Sequence, residues 1–357
     1  MFLIKKSDVM KLAEVLGGEY ELYGPMVEPL TGQTFFDRAE NPAELNLQAP
    51  IPSNPPKSVV FPQIERIMRY TYDQKKKAAA VEPDFKAAPR ALFGLRPCDL
   101  EGMLCLDRFF LGQEFVDEVY RSHRRNMFIV TNTCTAPFPQ CFCVCTDSGP
   151  AAKEGYDLNL TDLGSEYLVE AGSEKGAALA AKMGLAAAGD EHARLKREAV
   201  DKSISLFEDI AVDSKAWISR VMNRVTTGFI KEEVWEYIGD QCFECGACTF
   251  VCPSCSCFNV VDVADPSCEG CSDRLRTWDS CSYEGYSRMA GGHNPRKPVE
   301  DRRNKRFFCK LSYSQMKKYL RPGCVGCGRC AWVCPGDIGL PNVVTYIRRE
   351  VTGREEA

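Results

Sequence analysis

The sequence predicts an α+β protein in three parts. An N-terminal α/β domain spans residues 1–172, a helical connector 173–237, and a cysteine-rich domain with a long insert 238–357. Three observations lead there. Two apolar runs, residues 91–95 and 126–131, each end close to a cysteine, as strand–turn units of a small α/β layer do. Residues 173–237 are rich in Ala, Lys and Glu and carry helical periodicity, enough for two or three helices. Two matching cysteine strings then follow: Cys242, Cys245, Cys248, Cys252-Pro253 and Cys324, Cys327, Cys330, Cys334-Pro335.

The elements follow in order. Ser7-Asp8 before Val9, Met10, Leu12, Val15 and Leu16 predicts a capped amphipathic helix, stopped at Gly17-Gly18. Residues 19–65 mix short apolar stretches with Pro and Gly and predict short strands and turns, whereas 70–88 read as a charged loop. Residues 91–95 predict a buried strand ending at Arg96-Pro97-Cys98-Asp99. A helix through Leu100, Met103, Leu104, Leu106 and Phe109 follows, then a second buried strand that ends at Cys134.

Each cysteine string reads C-x₂-C-x₂-C-x₃-C-P, the run that holds cubane clusters in bacterial ferredoxins. Three closely spaced thiolates wrap one [4Fe–4S] cube, and the fourth cysteine turns to the other cluster. The spacing therefore predicts a bacterial-ferredoxin-like dicluster domain with two [4Fe–4S] clusters. Zinc fits poorly, because it favours two separated C-x₂₋₄-C pairs. Cys98, Cys134, Cys141 and Cys143 reach neighbouring loops past strand ends and could hold a third [4Fe–4S] cluster, with Cys145 able to replace Cys143. Cys105 reads as a free buried thiol. In the insert, Cys268-Glu269-Gly270-Cys271 could bind a further cluster or zinc with Cys281, or with Cys255 and Cys257, or these could be free thiols; Cys309 is left over. The basic run Arg302, Arg303, Lys305, Arg306 could raise cluster potentials or steer an acidic partner.

Composition bounds the rest. A chain of 357 residues with 45% hydrophobic and 26% charged residues is ordinary for a folded protein. A net charge of −4 argues against nucleic-acid binding. Twenty cysteines without a leader-like start predict a reducing compartment, hence a cytoplasmic location, in an anaerobe or an organism living with little oxygen. No apolar run is long enough to predict a membrane span. Neither G-x-G-x-x-G nor a Walker loop occurs.

Gly94-Leu95-Arg96-Pro97-Cys98-Asp99-Leu100, Cys141-Phe142-Cys143, Cys252-Pro253-Ser254-Cys255-Ser256-Cys257-Phe258, Trp278-Asp279-Ser280-Cys281, Ala290-Gly291-Gly292-His293-Asn294-Pro295-Arg296 and Cys324-Val325-Gly326-Cys327-Gly328-Arg329-Cys330 appear in that order. In this the chain resembles the iron–sulfur beta subunit of soluble Ni–Fe sulfhydrogenases, the corresponding iron–sulfur subunit of anaerobic sulfite reductase, and the related subunit of flavin oxidoreductases that feed heterodisulfide reductase. The resemblance covers residues 90–350. It implies electron transfer between a partner that binds FAD and NAD(P) and a hydrogenase, sulfite reductase or heterodisulfide reductase subunit. It supports the eight ligands of the two strings and the N-terminal set. Cys145, Cys309, Cys268 and Cys271 depart from its pattern.

The leading expectation is thus an electron-transfer subunit. No His–carboxylate set points to acid–base catalysis, since His123, His192 and His293 are scattered. The alternative is a self-contained reductase that takes substrate or flavin at the N-terminal cysteines. An iron or redox sensor would need a basic recognition helix, and none is evident.

Overall fold

The structure, a computed structural model, describes residues 1–207 and 214–352. Residues 208–213 of the expected connector and 353–357 of the expected C-terminal domain lie outside the described residues. The frame of the N-terminal part is an eight-stranded mixed sheet of β1 (Phe2–Lys5), β2 (Glu21–Val27), β3 (Thr34–Arg38), β6 (Arg90–Leu95), β7 (Met127–Asn132), β8 (Leu158–Asp162), β9 (Glu166–Ala171) and β10 (Ala186–Ala187). Its order is β10-β1-β9-β8-β7-β6-β2-β3, and the central strands β2, β6, β7 and β8 are parallel. The expected strands at 91–95 and 126–131 are therefore the middle of the sheet. They read as unbroken apolar runs because both faces are covered. Phe93 and Val130 face a core with Leu12, Leu16 and Leu160, while Leu92 and Ile129 face another with Met103, Leu106 and Phe61.

The Met10–Gly17 helix forms as expected, but Ser7 and Asp8 sit in a separate 3₁₀ turn and make no cap. A larger difference concerns residues 70–88. They are not a loop: β4 (Ile64–Asp73) and β5 (Ala78–Pro83) form a hairpin that joins β11 (Phe258–Ala264) and β12 (Cys271–Trp278) in a second antiparallel sheet, β11-β12-β4-β5. The insert between the cysteine strings thus completes a sheet begun near the N-terminus. Arg276 on β12 pairs with Glu65 of β4 at 2.5 Å and with Asp117, the cap of the Glu118–Arg125 helix, which ties the second sheet to a helix of the N-terminal part.

The connector region supplies helices Glu174–Lys182, Asp190–Ser205, Ser214–Thr227 and Glu232–Asp240. The last two pack with the Val299–Leu311 and Leu340–Thr352 helices around Ile218, Val221, Trp235, Phe307 and Val344. Phe142, from the loop after β7, is buried in this same core. The N-terminal cysteine loop is therefore anchored in the C-terminal module.

Candidate metal centres

The two cysteine loops share a backbone. Glu244 (φ 54°) and Gly246 (φ 75°) in the first correspond to Gly326 (φ 62°) and Gly328 (φ 78°) in the second. Left-handed residues at these two places curl each loop back on itself. The short helices Ala247–Phe250 and Arg329–Trp332 then carry Cys248 and Cys330. Backbone N–H groups reach the sulfurs: Glu244 donates to Cys242 Sγ at 3.4 Å, Gly326 to Cys324 Sγ at 3.3 Å, and Leu340 to Cys330 Sγ at 3.3 Å. Such bonds favour thiolate and tune cluster potentials.

Cys242, Cys245 and Cys248 line one cavity together with Cys334, Ser282 and Arg303; this is site A. Cys334 has crossed from the second string. Its counterpart Cys252 has crossed the other way and lies with Cys324, Cys327 and Cys330 at site B. Burial pushes those three thiols up, Cys327 to about 12, and the nearby Cys252 adds to each shift. Cys252 itself is held well below the ordinary thiol range by a hydrogen bond from Cys255, with Lys310, Arg306 and Lys57 assisting.

Those cations correct one reading of the basic run. Arg302, Arg303, Arg306 and Lys310 are buried on one face of the Val299–Leu311 helix, so they offer no surface to an acidic partner. Arg303 Nη1 stands 3.9 Å from Cys248 Sγ, and Arg306 donates to the Cys248 carbonyl at 3.0 Å. Lys310 bonds Ser254 Oγ at 3.0 Å and the Gly323 carbonyl at 3.1 Å. Among the described residues, Nε and Nη2 of Arg303 and Nη1 of Arg306 are buried without an acceptor. Burying unpaired cationic donors is strongly unfavourable. A thiolate-ligated cube, which is anionic, is the kind of group that would satisfy them, so the residues present fit the cluster.

Site C gathers Cys98, Cys134, Cys141 and Cys143 around a cavity of about 420 Å³. It lies past the carboxyl ends of parallel β6 and β7, where α/β sheets place ligands. Pro97 opens the Pro97–Phe110 helix and so sets Cys98 in its first turn. Burial raises all four thiols, Cys141 to about 12, while Arg96 opposes the rise at Cys134. A bound metal centre deprotonates thiols that are otherwise hard to ionise. Cys145 does not line this cavity; it is buried with Phe142 and Ile218.

Sites B and C touch. Phe142 N–H donates to the Gly326 carbonyl at 2.8 Å, and Cys141 Sγ lies 3.5 Å from the Cys327 carbonyl. A Cβ on Gly326 would stand 2.6 Å from the Cys143 backbone, and one on Gly328 2.5 Å from that of Gln140.

The remaining insert cysteines separate. Cys257 and Cys281 are hydrogen-bonded to one another. Cys268 and Cys271 are joined by a disulfide at the β11–β12 turn. The eight residues of β12 put that turn roughly 25 Å from Trp278 at the strand's other end, at about 3.3 Å per residue. Cys268 and Cys271 therefore cannot share a metal with Cys281, Cys255 or Cys257. Among the described residues no three His, Cys, Asp or Glu side chains converge as a single metal ion requires; sites A and C instead surround a space.

Sequence reasoning missed Lys57. It reaches from a proline-rich segment to the Thr249 and Cys255 carbonyls at 3.2 and 3.1 Å and lies over the Trp278 ring. No local pattern marks it, because its carbonyl partners are 192 and 198 residues away.

Residues 241–338 match the family described as 4Fe-4S dicluster domain, so two [4Fe–4S] clusters belong to this module. No solved structure matches the chain. The sulfhydrogenase 2 subunit beta of Pyrococcus furiosus is 30% identical over 333 residues, which cover 92% of either chain. At that identity and coverage, the chain belongs to the sulfhydrogenase beta subunit family.

Proposed function

We propose that this chain is the electron-transfer subunit of a sulfhydrogenase-type complex and carries single electrons through three [4Fe–4S] clusters. Site A is held by Cys242, Cys245, Cys248 and Cys334, site B by Cys252, Cys324, Cys327 and Cys330, and site C by Cys98, Cys134, Cys141 and Cys143. When bound, each cluster supplies one-electron outer-sphere transfer. The protein's own part is to fix distances, exclude water and set potentials through N–H···S bonds and buried cations.

The observation that carries this reading is the direct contact between the Cys141–Cys143 loop and the Cys324–Cys330 loop. It makes B the middle of a line A–B–C. The ends are accessible: Cys245 is exposed at A, and the C cavity is rimmed by the exposed Thr135, Ala136 and Pro139. One end would face an FAD- and NAD(P)-binding subunit, the other a hydrogenase, sulfite reductase or heterodisulfide reductase subunit. Among the described residues no helix is long and apolar enough to cross a membrane, and thiolate centres suit a reducing cytoplasm.

The test is the intact complex against the chain alone. NAD(P)H should bleach the cluster absorbance of the complex and leave the separate chain unchanged. The size of the C cavity favours a second reading, because 420 Å³ falls within the small-molecule pocket range. That reading is a self-contained reductase with substrate or flavin at site C. Bound flavin, or NAD(P)H-driven dye reduction by the chain alone, would establish it and displace the first.

A further inference from the structure

The connector region lends the C cavity an orphaned hydroxyl. Ser203 lies in the last turn of the Asp190–Ser205 helix, which is held to the first sheet by an ion pair between Lys196 and Glu170 of β9 at 2.6 Å. Among the described residues of that helix, Ser203 is the one fully buried, at 0% exposure. A helix ordinarily buries its apolar side chains; here the buried place is a serine. Ser203 and Phe207, one turn further on, line the cavity together with Cys98, Cys134, Cys141 and Cys143. Phe207 packs in one cluster with Cys98 and Cys143. Other buried polar side chains of the wall are occupied: Asn132 Nδ2 donates to the Leu47 carbonyl at 2.9 Å, and Thr133 Oγ1 bonds Thr161 Oγ1 at 2.9 Å. Ser203 Oγ, by contrast, is buried without a hydrogen-bond partner among the described residues. An unpaired buried hydroxyl is unfavourable, and alanine would fill the same helical place without that penalty. The serine therefore points to an acceptor held in the cavity.

We propose that Ser203 is a hydrogen-bond donor to the [4Fe–4S] cluster at site C, through which the connector helix sets that cluster's reduction potential. The inference rests on the three-site reading. The sulfides and thiolates of a cube offer acceptors and no donors, so the hydroxyl has one role toward it: its O–H donates. A bond donated to cluster sulfur favours the electron-rich state and raises the potential. The cluster takes up one electron and passes one on, no proton or covalent bond changes hands, and Ser203 shifts only the balance between the two states. At sites A and B backbone N–H groups reach Cys242, Cys324 and Cys330 Sγ from within the cysteine loops or close after them. At site C a side chain from a separate element plays that part.

The experiment is an EPR-monitored redox titration of the full chain with its clusters, with iron counted per chain, as wild type, S203A and S203T. C134S, which breaks site C, identifies the C signal by its loss. S203A should lower the potential at C by about tenfold in its one-electron equilibrium, which is 59 mV, and leave A and B in place. S203T keeps the hydroxyl and should stay near the wild-type value. Should S203A hold only about eight irons, S203T decides. About twelve irons in S203T make the hydroxyl itself the requirement and support the proposal, whereas about eight in both variants make the residue a packing element and overturn it. About twelve irons in S203A with an unmoved C potential, or with equal shifts at all three sites, overturn this inference alone. A wild-type protein with only about eight irons fails the three-site reading itself.

Discussion

The two cysteine loops have the same backbone and opposite surroundings. The first is open. Cys245 is exposed, a side chain is tolerated at Glu244 in the left-handed region, and its carboxylate meets Arg302 at 2.5 Å. The second is enclosed. The equivalent Gly326 has the Cys143 backbone where a side chain would go, and the Arg329 that follows is buried against Asp99. A repeated motif therefore sits in two different settings, one open to the surface and one enclosed. The spacing of the cysteines specifies the cube, and the packing around each loop specifies its surroundings.

The largest break in this comparison should come from G326A. The added methyl would lie 2.6 Å from neighbouring backbone at a φ of 62°, and strain plus overpacking come to about 2–5 kcal/mol. Iron should be lost from B and C together. E244A, at the equivalent place in the first loop, should keep its iron, because Arg302 retains the carbonyls of Ser282 and Arg296. Iron analysis of the two variants checks the contrast.

Next in size is the buried cation at site B. K310M removes the charge beside Cys252 and should shift the midpoint potential of B to more negative values, while site A moves less. Redox titration of both sites reads this directly.

A smaller effect concerns the Cys257–Cys281 pair. The Cys257 thiol donates to Cys281 and holds it down to about 5, and that same bond, with burial, pushes Cys257 well up. Above about pH 5 Cys281 is therefore thiolate, the nucleophilic form. Iodoacetamide at pH 6 should label Cys281 and spare Cys257, as peptide mass spectrometry would show; labelling should fall as pH drops through 5. The smallest effect is expected from C268S or C271S. These residues are bonded to each other at a distant turn, and iron content should not change.

Much of this was legible in the sequence, for identifiable reasons. Cubane ligation needs a fixed local spacing, so both loops were readable residue by residue, and the central strands β6 and β7 announce themselves as apolar runs. The β4–β5 hairpin was not readable. Its pairing partner β12 lies some 200 residues downstream, and Lys75, Lys76 and Lys77 in its turn resemble solvated loop. Strand formation of this non-local kind depends on neighbours more than on propensity. The burial of the basic run was hidden for a related reason. Arg302, Arg306 and Lys310 recur at helical spacing, but a charged stripe ordinarily faces water, and only the anionic centre it surrounds turns it inward. The place of Cys145 was likewise not readable, because it depends on Phe142, which carries Cys145 into the helical core while Cys143 lines the cavity past the strand ends.

The most direct measurement is iron per chain in anaerobically prepared wild type and C134S. Three cubes of four irons each predict about twelve atoms in the wild type and about eight once site C is broken. About eight in both, with Cys98, Cys134, Cys141 and Cys143 all titrating as free thiols in the wild type, would contradict the relay of three.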